Sequence, residues 1–348
     1  MKAVICRGDG IVEFKDVKDP EVTVGCVKVN VKASGICGSD IPRAMAKGAH
    51  SYPIILGHEF AGVVVEIGQG VTAVQIGDHV TVAPLIPCHA CDDCKKGYFS
   101  LCKNYSFIGS RQQGANAEYV VVPEVNVVKI GKRIPFEVGA LFEPSTVALH
   151  AIYLNEYKPG GNVAILGGGT IGVFTLQWAK ILGAKKVAVF GRDKGHLELS
   201  RRLGADSIIS TLDSDFFEHA MRLTNGCGYD YVFETAGSVF LMKYAFQIAA
   251  NRAHVCFVGT PTMGLAFTPK EWQLLNRKEL KLIGSWMSYS APFPGREWTE
   301  TERFFSDGSL KFDEGIFYAK YPMSKAQDAF NNFREKGKVK GRILLVND

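Results

Sequence analysis

The stretch Asn162-Val163-Ala164-Ile165-Leu166-Gly167-Gly168-Gly169-Thr170-Ile171-Gly172 decides the fold of the second half of this chain. Its apolar run predicts a strand buried on both faces of a parallel sheet. A helix is predicted over 171–182 and a second strand over 186–190. Further candidate strands are 229–234, 254–258 and 280–284. This repeated strand–helix order predicts a doubly wound α/β sheet.

The glycines after that first strand match the pattern G-x-G-x-x-G between a strand and a helix, which is typical of dinucleotide binding. Gly167 permits the tight turn, Gly169 lets the backbone approach a pyrophosphate, and Gly172 allows close packing of the helix. Thr170 and Ile171 open the helix, whose N-terminus would hold the diphosphate. We therefore predict that these five residues bind a nicotinamide dinucleotide.

The end of the second strand determines which dinucleotide is preferred. An acidic residue there would bond the ribose 2′-hydroxyl of NAD and repel a 2′-phosphate, whereas this chain has Gly191 followed by Arg192. A small residue and a cation leave room and charge for the 2′-phosphate, so the sequence favours NADP. The alternative is NAD, with Asp193 reaching the ribose and Arg192 exposed or stacked on adenine.

The first half of the chain has a different pattern of predicted secondary structure. Short Val-rich strands separated by glycine turns, over 25–32, 61–68 and 77–82, predict a compact β-barrel-like domain. A final apolar strand over 341–346 is expected to return to it. We predict a catalytic domain built from residues 1–150 and 288–348, and a nucleotide-binding domain over 151–287.

A metal site is predicted at two segments of the first half, around Cys37 and around His58-Glu59. Thiolate, imidazole and carboxylate are the ligand types of catalytic zinc, and three protein ligands leave a position open for water or substrate. Ser39 could pass on a proton from the alcohol, and Asp40 could accept the free N–H of His58. The alternative is a buried thiol in a glycine turn and an ordinary strand start.

A second metal site is indicated by four cysteines at loop spacing, Cys88, Cys91, Cys94 and Cys102. Four thiolates can close a tetrahedral structural zinc site, which leaves no position for substrate. The alternatives are buried thiols and an iron–sulfur cluster, although such clusters usually carry a proline after the last cysteine, where this chain has Lys103. We therefore predict two Zn²⁺ per chain.

Composition excludes several classes of protein. The chain has 348 residues, enough for two domains, with 47% hydrophobic and 22% charged residues. Its net charge of +5 is not concentrated in a basic tract, so we expect neither nucleic acid nor membrane as a partner. No apolar run is long enough to span a bilayer. The nine cysteines are odd in number and clustered, and with no export signal they favour a cytoplasmic protein with reduced thiols.

Together these motifs resemble the zinc-dependent medium-chain alcohol and polyol dehydrogenases along the whole chain. The resemblance implies a GroES-like β-barrel catalytic domain, a Rossmann domain and a homodimer or homotetramer. It also implies that Cys37, His58 and Glu143 bind the catalytic zinc, with Glu59 as an alternating or direct ligand, and that the four cysteines bind the structural zinc. Read without the resemblance, Glu143 could be an exposed acid at a helix start.

The resemblance extends to a branch of the family that acts on sugar-alcohol phosphates, through the segments 48–53, 107–111 and 284–292. It implies NAD(P)-linked oxidation of a secondary hydroxyl to a ketone. Cationic side chains near the metal motifs, Arg43, Lys47 and Arg111, are candidates for binding the phosphate. Polyol dehydrogenases of this type usually carry an acid at the Gly191 position and use NAD. Free polyols and L-threonine are alternative substrates, and a non-catalytic zinc or nucleotide-binding protein is a remote alternative.

Overall fold

A computed structural model describes residues 1–347 of the chain. The chain divides into two compact units, each built from separated stretches. The first unit comprises Met1–Glu143, Tyr289–Gly308 and the chain from Phe317 onward. The second unit comprises Pro144–Ser288 and Ser309–Ile316.

The helices and strands follow one another in three stretches. The first stretch contains β1 (Lys2–Cys6), β2 (Val12–Asp16), β3 (Cys26–Ile36), α1 (Asp40–Met45), β4 (Ile54–Ile55), β5 (Glu59–Ile67), β6 (His79–Val82), β7 (Leu85–Ile86), α2 (Asp92–Lys95), β8 (Ser106–Phe107), β9 (Tyr119–Pro123), β10 (Val127–Lys129), α3 (Phe136–Gly139) and α4 (Phe142–Leu154). The second contains β11 (Asn162–Leu166), α5 (Thr170–Ile181), β12 (Lys186–Gly191), α6 (Lys194–Arg202), β13 (Ser207–Ser210), α7 (Phe216–Arg222), β14 (Tyr229–Glu234), α8 (Val239–Ile248), β15 (Ala249–Phe257), α9 (Pro269–Arg277) and β16 (Lys281–Gly284). The third contains α10 (Arg296–Ser306), β17 (Phe317–Pro322), α11 (Ala326–Asn331) and β18 (Arg342–Val346).

The first unit is dominated by a mainly antiparallel sheet in the order β10-β6-β5-β3-β18-β17, with β9 also paired to β3. Strand β3 buries alternate residues, Val27, Val29 and Val31, as expected for a strand with one face on a core. The predicted return of the final strand is confirmed, because β18 pairs with β3 and places Ile343 opposite Ile36.

The second unit contains a parallel six-stranded sheet in the order β13-β12-β11-β14-β15-β16. The predicted doubly wound sheet is therefore confirmed. The chain runs from β11 towards one edge and then restarts at β14 towards the other, so the strand order reverses between these two neighbours. Ligands of such sheets bind in the crevice at the carboxyl ends of the strands at this reversal point.

Some elements differ from the prediction. Strand β15 begins at Ala249, five residues before the predicted start, because a shifted register pairs Ala249 with Tyr229 of β14. Strand β13 was not predicted, since four residues carry little periodic signal. The predicted boundary between residues 150 and 151 lies within α4. Within residues 1–347, none of the helices is both long enough and apolar enough to cross a lipid bilayer.

Candidate metal centres and cofactor turn

The end of β3 and the start of β5 bring the first set of ligands together. The two strands are antiparallel with Gly35 opposite Glu59, so Cys37, one residue after β3, and His58, one residue before β5, come together at the same end of the strand pair. A Cβ atom at Gly35 would lie 2.6 Å from Oε2 of Glu59, which explains the glycine. One potential ligand atom from each of Cys37, His58 and Glu59 lies within 4.8 Å of the other two.

Asp40 supports this group from the first turn of α1. Its carboxylate is fully buried, and Oδ2 accepts a hydrogen bond of 3.1 Å from the backbone N–H of Cys37. Oδ1 of Asp40 lies 3.5 Å from Nδ1 of His58. Asp40 therefore fixes the thiol segment and lies beside the imidazole, which is the arrangement that orients a metal-bound histidine.

Burial and mutual charge shift the pKa values of these groups strongly. Burial raises the pKa of Glu59 to about 8, against the opposing charge of Arg342. Burial also opposes ionisation of Cys37, but its hydrogen bond and charge interaction with His58 lower the thiol pKa to about 6. The pKa of His58 is held well above its usual value by Asp40, despite burial. The three groups are therefore coupled through charge as well as position.

The donor set fits a zinc ion. Sulfur, nitrogen and oxygen donors are the ligands that zinc accepts, and three protein ligands are typical of a catalytic site. Within residues 1–347, both carboxylate oxygens of Glu59 are buried without a hydrogen-bond partner. Oε2 lies 3.1 Å from Nε of Arg342, but the pair lacks hydrogen-bond geometry. A buried carboxylate without hydrogen bonds is costly, and a bound cation would satisfy it.

Glu143 lies outside this set of three ligand atoms. It occupies the first turn of α4 and is half-buried. Burial raises its pKa to about 7, and the charge of Glu59 adds to that shift. The structure therefore places Glu143 within electrostatic reach of the metal group, while Glu59 is the carboxylate that shares the 4.8 Å cluster with Cys37 and His58.

The candidate phosphate-binding cations lie in different surroundings. Nη1 of Arg43 donates to Oγ of Ser39 at 2.8 Å and to Oδ1 of Asp40 at 3.4 Å, so this guanidinium belongs to the metal neighbourhood. The guanidinium of Arg111 stacks on the Tyr105 ring at 4.4 Å. Lys47 is exposed in the loop after α1, with a φ of 55°.

The four cysteines of the second set also come together. Potential ligand atoms of Cys88, Cys91, Cys94 and Cys102 lie within 4.8 Å of one another. Sγ of Cys91 is 4.0 Å from Sγ of Cys102, close to the edge of roughly 3.8 Å in a tetrahedron with Zn–S bonds of about 2.3 Å. Backbone N–H groups point at two of the sulfurs, from Cys88 to Cys102 at 3.2 Å and from Cys91 to Cys88 at 3.4 Å. This set fits a closed zinc site.

Two residues of these sites, Arg342 and Tyr289, were not among the predicted site residues. Arg342, at the start of β18, donates from Nη1 to the carbonyl of Ile36 at 3.2 Å and faces Glu59. Tyr289 donates its backbone N–H to Oγ of Ser100 in the cysteine lobe at 3.2 Å, and its hydroxyl accepts from the backbone N–H of Leu85 at 3.1 Å. Arg342 could have been noticed in the sequence, because it is a charged residue at the start of an apolar strand.

The glycine turn lies between β11 and α5. Gly167 has a φ of 123°, which favours glycine, and a Cβ atom at Gly172 would lie 1.8 Å from the carbonyl oxygen of Gly167. Gly169 is the N-cap of α5 and has no side-chain cap, and a Cβ atom there would meet nothing within 4 Å. Thr170 and Ile171 form the first turn of the helix. This geometry fits a diphosphate at the start of α5.

The two candidate ribose contacts after β12, Arg192 and Asp193, have different surroundings. Gly191 ends the strand, and Arg192 is exposed after it. Asp193 is the N-cap of α6, where Oδ1 accepts from the backbone N–H of His196 at 3.0 Å. Its carboxylate is therefore already engaged in stabilising the helix start.

Comparison with known proteins gives consistent matches over the whole chain. Residues 24–132 match the family model described as alcohol dehydrogenase GroES-like domain, and residues 170–306 match zinc-binding dehydrogenase. Galactitol 1-phosphate 5-dehydrogenase of Escherichia coli K12 is 37% identical over 99% of this chain and 100% of its own length. D-arabitol-phosphate dehydrogenase of Enterococcus avium is 30% identical over 99% of this chain and 97% of its own.

Solved structures agree with these matches. The crystal structure of galactitol-1-phosphate dehydrogenase from E. coli has a TM-score of 0.93 and 37% identity, covering 99% of this chain and 100% of that one. A Sinorhizobium meliloti 1021 protein described as a zinc-binding dehydrogenase, bound to NADP, has a TM-score of 0.90 and 29% identity, covering 99% and 98%. An alcohol dehydrogenase of E. coli CFT073 complexed with NADH has a TM-score of 0.88 and 25% identity, covering 99% of both chains. The chain therefore belongs to the zinc-dependent alcohol and polyol dehydrogenase family, with a GroES-like domain and a Rossmann-type nucleotide-binding domain.

Proposed function

We propose that this chain oxidises a secondary hydroxyl of a sugar-alcohol phosphate to a ketone, with galactitol 1-phosphate as the first candidate substrate. The observation that carries the chemistry is the buried group of Cys37, His58 and Glu59, whose ligand atoms lie within 4.8 Å of one another. The substrate assignment rests on the full-length similarity to galactitol 1-phosphate 5-dehydrogenase.

Each residue of the metal group would have its own role in this reaction. Cys37, His58 and a carboxylate from Glu59 or Glu143 would hold zinc, which as a Lewis acid lowers the pKa of the substrate hydroxyl. Asp40 orients His58. Ser39 would relay the substrate proton: its Oγ would accept that proton while its own hydroxyl proton passes to a ribose hydroxyl or water, and Oγ keeps a second lone pair for this after accepting the hydrogen bond from Arg43. The four-cysteine lobe would hold a structural zinc and take no part in the chemistry.

The decisive experiment is a substrate panel. Zinc-loaded protein is assayed with galactitol 1-phosphate, D-arabitol phosphate, unphosphorylated galactitol and L-threonine, and kcat/KM is measured for each. The proposal expects at least about a tenfold preference for a phosphorylated polyol, because a charge-assisted contact to phosphate contributes roughly 1.5–3 kcal/mol. Equal or better turnover of free galactitol or L-threonine would overturn the substrate assignment and leave the dehydrogenase chemistry intact.

The phosphate end of the substrate would need cationic partners, and Arg43, Lys47 and Arg111 remain the candidates. Arg43 is bound to Ser39 beside the metal group, so its substitution would disturb the chemistry as well. Lys47→Ala and Arg111→Ala are the cleaner variants. A raised KM for the phosphorylated substrate, with KM for free galactitol unchanged, would assign the phosphate contact to the substituted residue. Unchanged KM in both variants would exclude them.

For the cofactor we propose NADP in preference to NAD. Arg192 follows Gly191 at the end of β12, and the carboxylate of Asp193 caps α6. Related structures hold either NADP or NADH, so the family alone does not decide this choice. The ratio of kcat/KM for the two oxidised cofactors tests it. A tenfold preference for NAD would overturn the assignment.

We further propose that the chain is a homo-oligomer, either dimer or tetramer, located in the cytoplasm. The proposed location is supported by the nine cysteines, none of which forms a disulfide within residues 1–347. The assembly is supported by β16, an edge strand of the parallel sheet whose Leu282 is 39% exposed, followed by Trp286 at 56%. Exposed apolar edge strands pair readily with another chain. The mass measured by light scattering should be a multiple of 38.1 kDa. Leu282→Lys should lower this mass, and Leu212→Lys should leave it unchanged. A wild-type monomer would refute the assembly.

A further inference from the structure

Glu234 is a buried carboxylate that the metal chemistry does not use. It ends β14, at the reversal point of the sheet, and is fully buried. Its two oxygens accept three backbone hydrogen bonds of 3.1 Å each, from Ala236, Gly237 and Ser238. Ser238 is the N-cap of α8, and its Oγ accepts from the backbone N–H of Leu241, so the carboxylate binds the segment immediately before that helix. An anion is normally stabilised at this position by the helix dipole and free N–H groups.

The loop that Glu234 fixes lies directly against the glycine turn. Oγ1 of Thr235 donates to the carbonyl of Gly167 at 3.1 Å, and the backbone N–H of Thr235 donates to the carbonyl of Leu166 at 3.0 Å. A Cβ atom at Gly167 would lie 3.0 Å from Cβ of Ala236. A Cβ atom at Gly259 would in turn lie 2.7 Å from Oε2 of Glu234. The loop over 235–238 is therefore packed between the turn after β11 and the loop after β15.

Two helix starts, those of α5 and α8, lie at the carboxyl ends of the neighbouring strands β11 and β14. Each could attract a phosphate, because helix N-termini bind anions. At α8 the three N–H groups before the helix are bonded to Glu234 and the N–H of Leu241 is bonded to Oγ of Ser238, whereas α5 begins at Gly169 without a side-chain cap. The start of α8 is therefore already hydrogen-bonded within the protein, whereas the start of α5 has no side-chain cap and can bind the diphosphate of a dinucleotide.

We infer that Glu234 is a positioning residue for the cofactor, which holds the loop over 235–238 as one wall of the dinucleotide crevice and directs the diphosphate to α5. The inference rests on the proposed use of a nicotinamide dinucleotide. Glu234 touches neither cofactor nor substrate; it acts through the loop. Neutralising its carboxylate without changing the side-chain shape should make the loop over 235–238 less ordered and lower the affinity for the cofactor.

The test is direct titration of the zinc-loaded protein with NADPH and NADH, followed by nicotinamide fluorescence. Glu234→Gln replaces one acceptor oxygen by a donor and so loses at least one loop hydrogen bond. We expect Kd for the preferred cofactor to rise about tenfold, the effect of one lost charge-assisted hydrogen bond. Zinc content and KM for the alcohol at saturating cofactor should stay at wild-type values. Glu218→Gln, an exposed glutamate of α7, is the matched control and should leave Kd unchanged.

A purely structural role for Glu234 predicts a different result. It would lower the thermal midpoint of the cofactor-free protein but leave Kd unchanged, and that outcome would overturn the inference. If Glu234→Gln fails to fold, Thr235→Val decides, because it removes the hydroxyl contact to Gly167 and keeps the carboxylate. We expect about a threefold rise in Kd for this variant, and an unchanged Kd would overturn the inference. A wild-type protein that binds neither cofactor would instead refute the proposed function.

Discussion

Arg342 compensates the charge of Glu59 at the metal group. Its side chain is 10% exposed and that of Glu59 is 1% exposed, with Nε and Oε2 3.1 Å apart. Burial raises the pKa of this carboxyl and the charge of Arg342 opposes that shift, so Arg342 favours the ionised form of Glu59 that a metal would bind. The ligand types at Cys37 and His58-Glu59 could be predicted because they are visible in short segments of the sequence. Arg342 could not, because its partner lies in another part of the sequence.

Cys37→Ser tests the metal group at a single atom. Oxygen replaces sulfur at nearly the same size, but a serine hydroxyl is a much poorer zinc ligand than a thiolate. We expect kcat/KM to fall at least about a hundredfold, since even residues behind the metal ligands change activity by about 10–100-fold. Bound zinc, measured by atomic emission, should fall from about two to about one per chain.

Cys227→Ser is the matched control for this substitution, because Cys227 is exposed and belongs to neither cysteine set. It should keep both the activity and the zinc content of the wild type. Retention of about two zinc ions and of activity by Cys37→Ser would show that the thiolate is not a ligand.

Gly191→Asp tests the cofactor preference. A Cβ atom at this position would be 3.4 Å from the Leu197 side chain, an ordinary contact, so the added Cβ atom causes no clash. The new carboxylate would repel a 2′-phosphate and could bond a free ribose 2′-hydroxyl. We expect kcat/KM with NADP to fall at least about tenfold, the effect of roughly 1.4 kcal/mol, while NAD gains.

The control for this charge is Gly264→Asp, placed in an exposed loop of the same unit with nothing within 4 Å of the added Cβ atom. It should leave the ratio of the two cofactors as in the wild type. A ratio that stays constant in Gly191→Asp would mean that this position does not face the ribose.

Strands and helices with a strong local pattern could be predicted closely. β11 and β14 have the predicted bounds, because a continuous apolar run between turn residues leaves little freedom in assigning a central strand. Elements defined by their partners could not be predicted in the same way. β13 is a short edge strand held by pairing with β12, and the early start of β15 depends on a shifted register with β14. Pairing of this kind depends on tertiary contacts, which local propensity does not encode.

Helix α5 also anchors a distant segment, and this gives an element-scale prediction. Gln177 is 4% exposed, its Oε1 accepts from the backbone N–H of Lys311 at 2.7 Å, and its Nε2 donates to the carbonyl of Lys311 at 3.2 Å. Gln177→Ala would leave both backbone groups without these partners. We expect the free energy of unfolding to fall by about 1–3 kcal/mol, measured by urea denaturation of zinc-loaded protein.

Gln247→Ala is the comparison, because Gln247 is an exposed residue of α8. Its free energy of unfolding should stay within about 0.5 kcal/mol of the wild type. An equal effect of the two substitutions would show that the paired hydrogen bonds to Lys311 contribute nothing to stability.

At the scale of the whole molecule, both units are assembled from stretches far apart in the chain. The first unit is completed by β18, which pairs with β3, and the second includes Ser309–Ile316. The return of the last strand could be predicted from its apolar pattern. The assignment of the short 309–316 stretch to the second unit could not, because it depends on single contacts such as those of Gln177.

The two predicted zinc ions should differ in what their removal does to the molecule. The site at Cys37, His58 and Glu59 offers three protein ligand atoms, whereas the lobe offers four thiolates. A closed four-thiolate site contributes folding free energy, and a site with an open position contributes chemistry. Stepwise chelation should therefore abolish activity with loss of the first zinc equivalent, at a nearly constant thermal midpoint. Loss of the second should lower that midpoint by several degrees or more, because the lobe then loses its cross-link.

The measurement follows activity, bound zinc and thermal midpoint on the same samples during dialysis against a chelator. Protein from which one zinc has been removed should recover activity when Zn²⁺ is added back, because its fold is retained. Protein stripped of both should recover less, since the cysteine lobe must refold around the metal. Full activity in protein shown to be free of zinc would contradict the Lewis-acid role of the Cys37 group. A single, simultaneous loss of activity and stability would contradict the division of labour between the two sites.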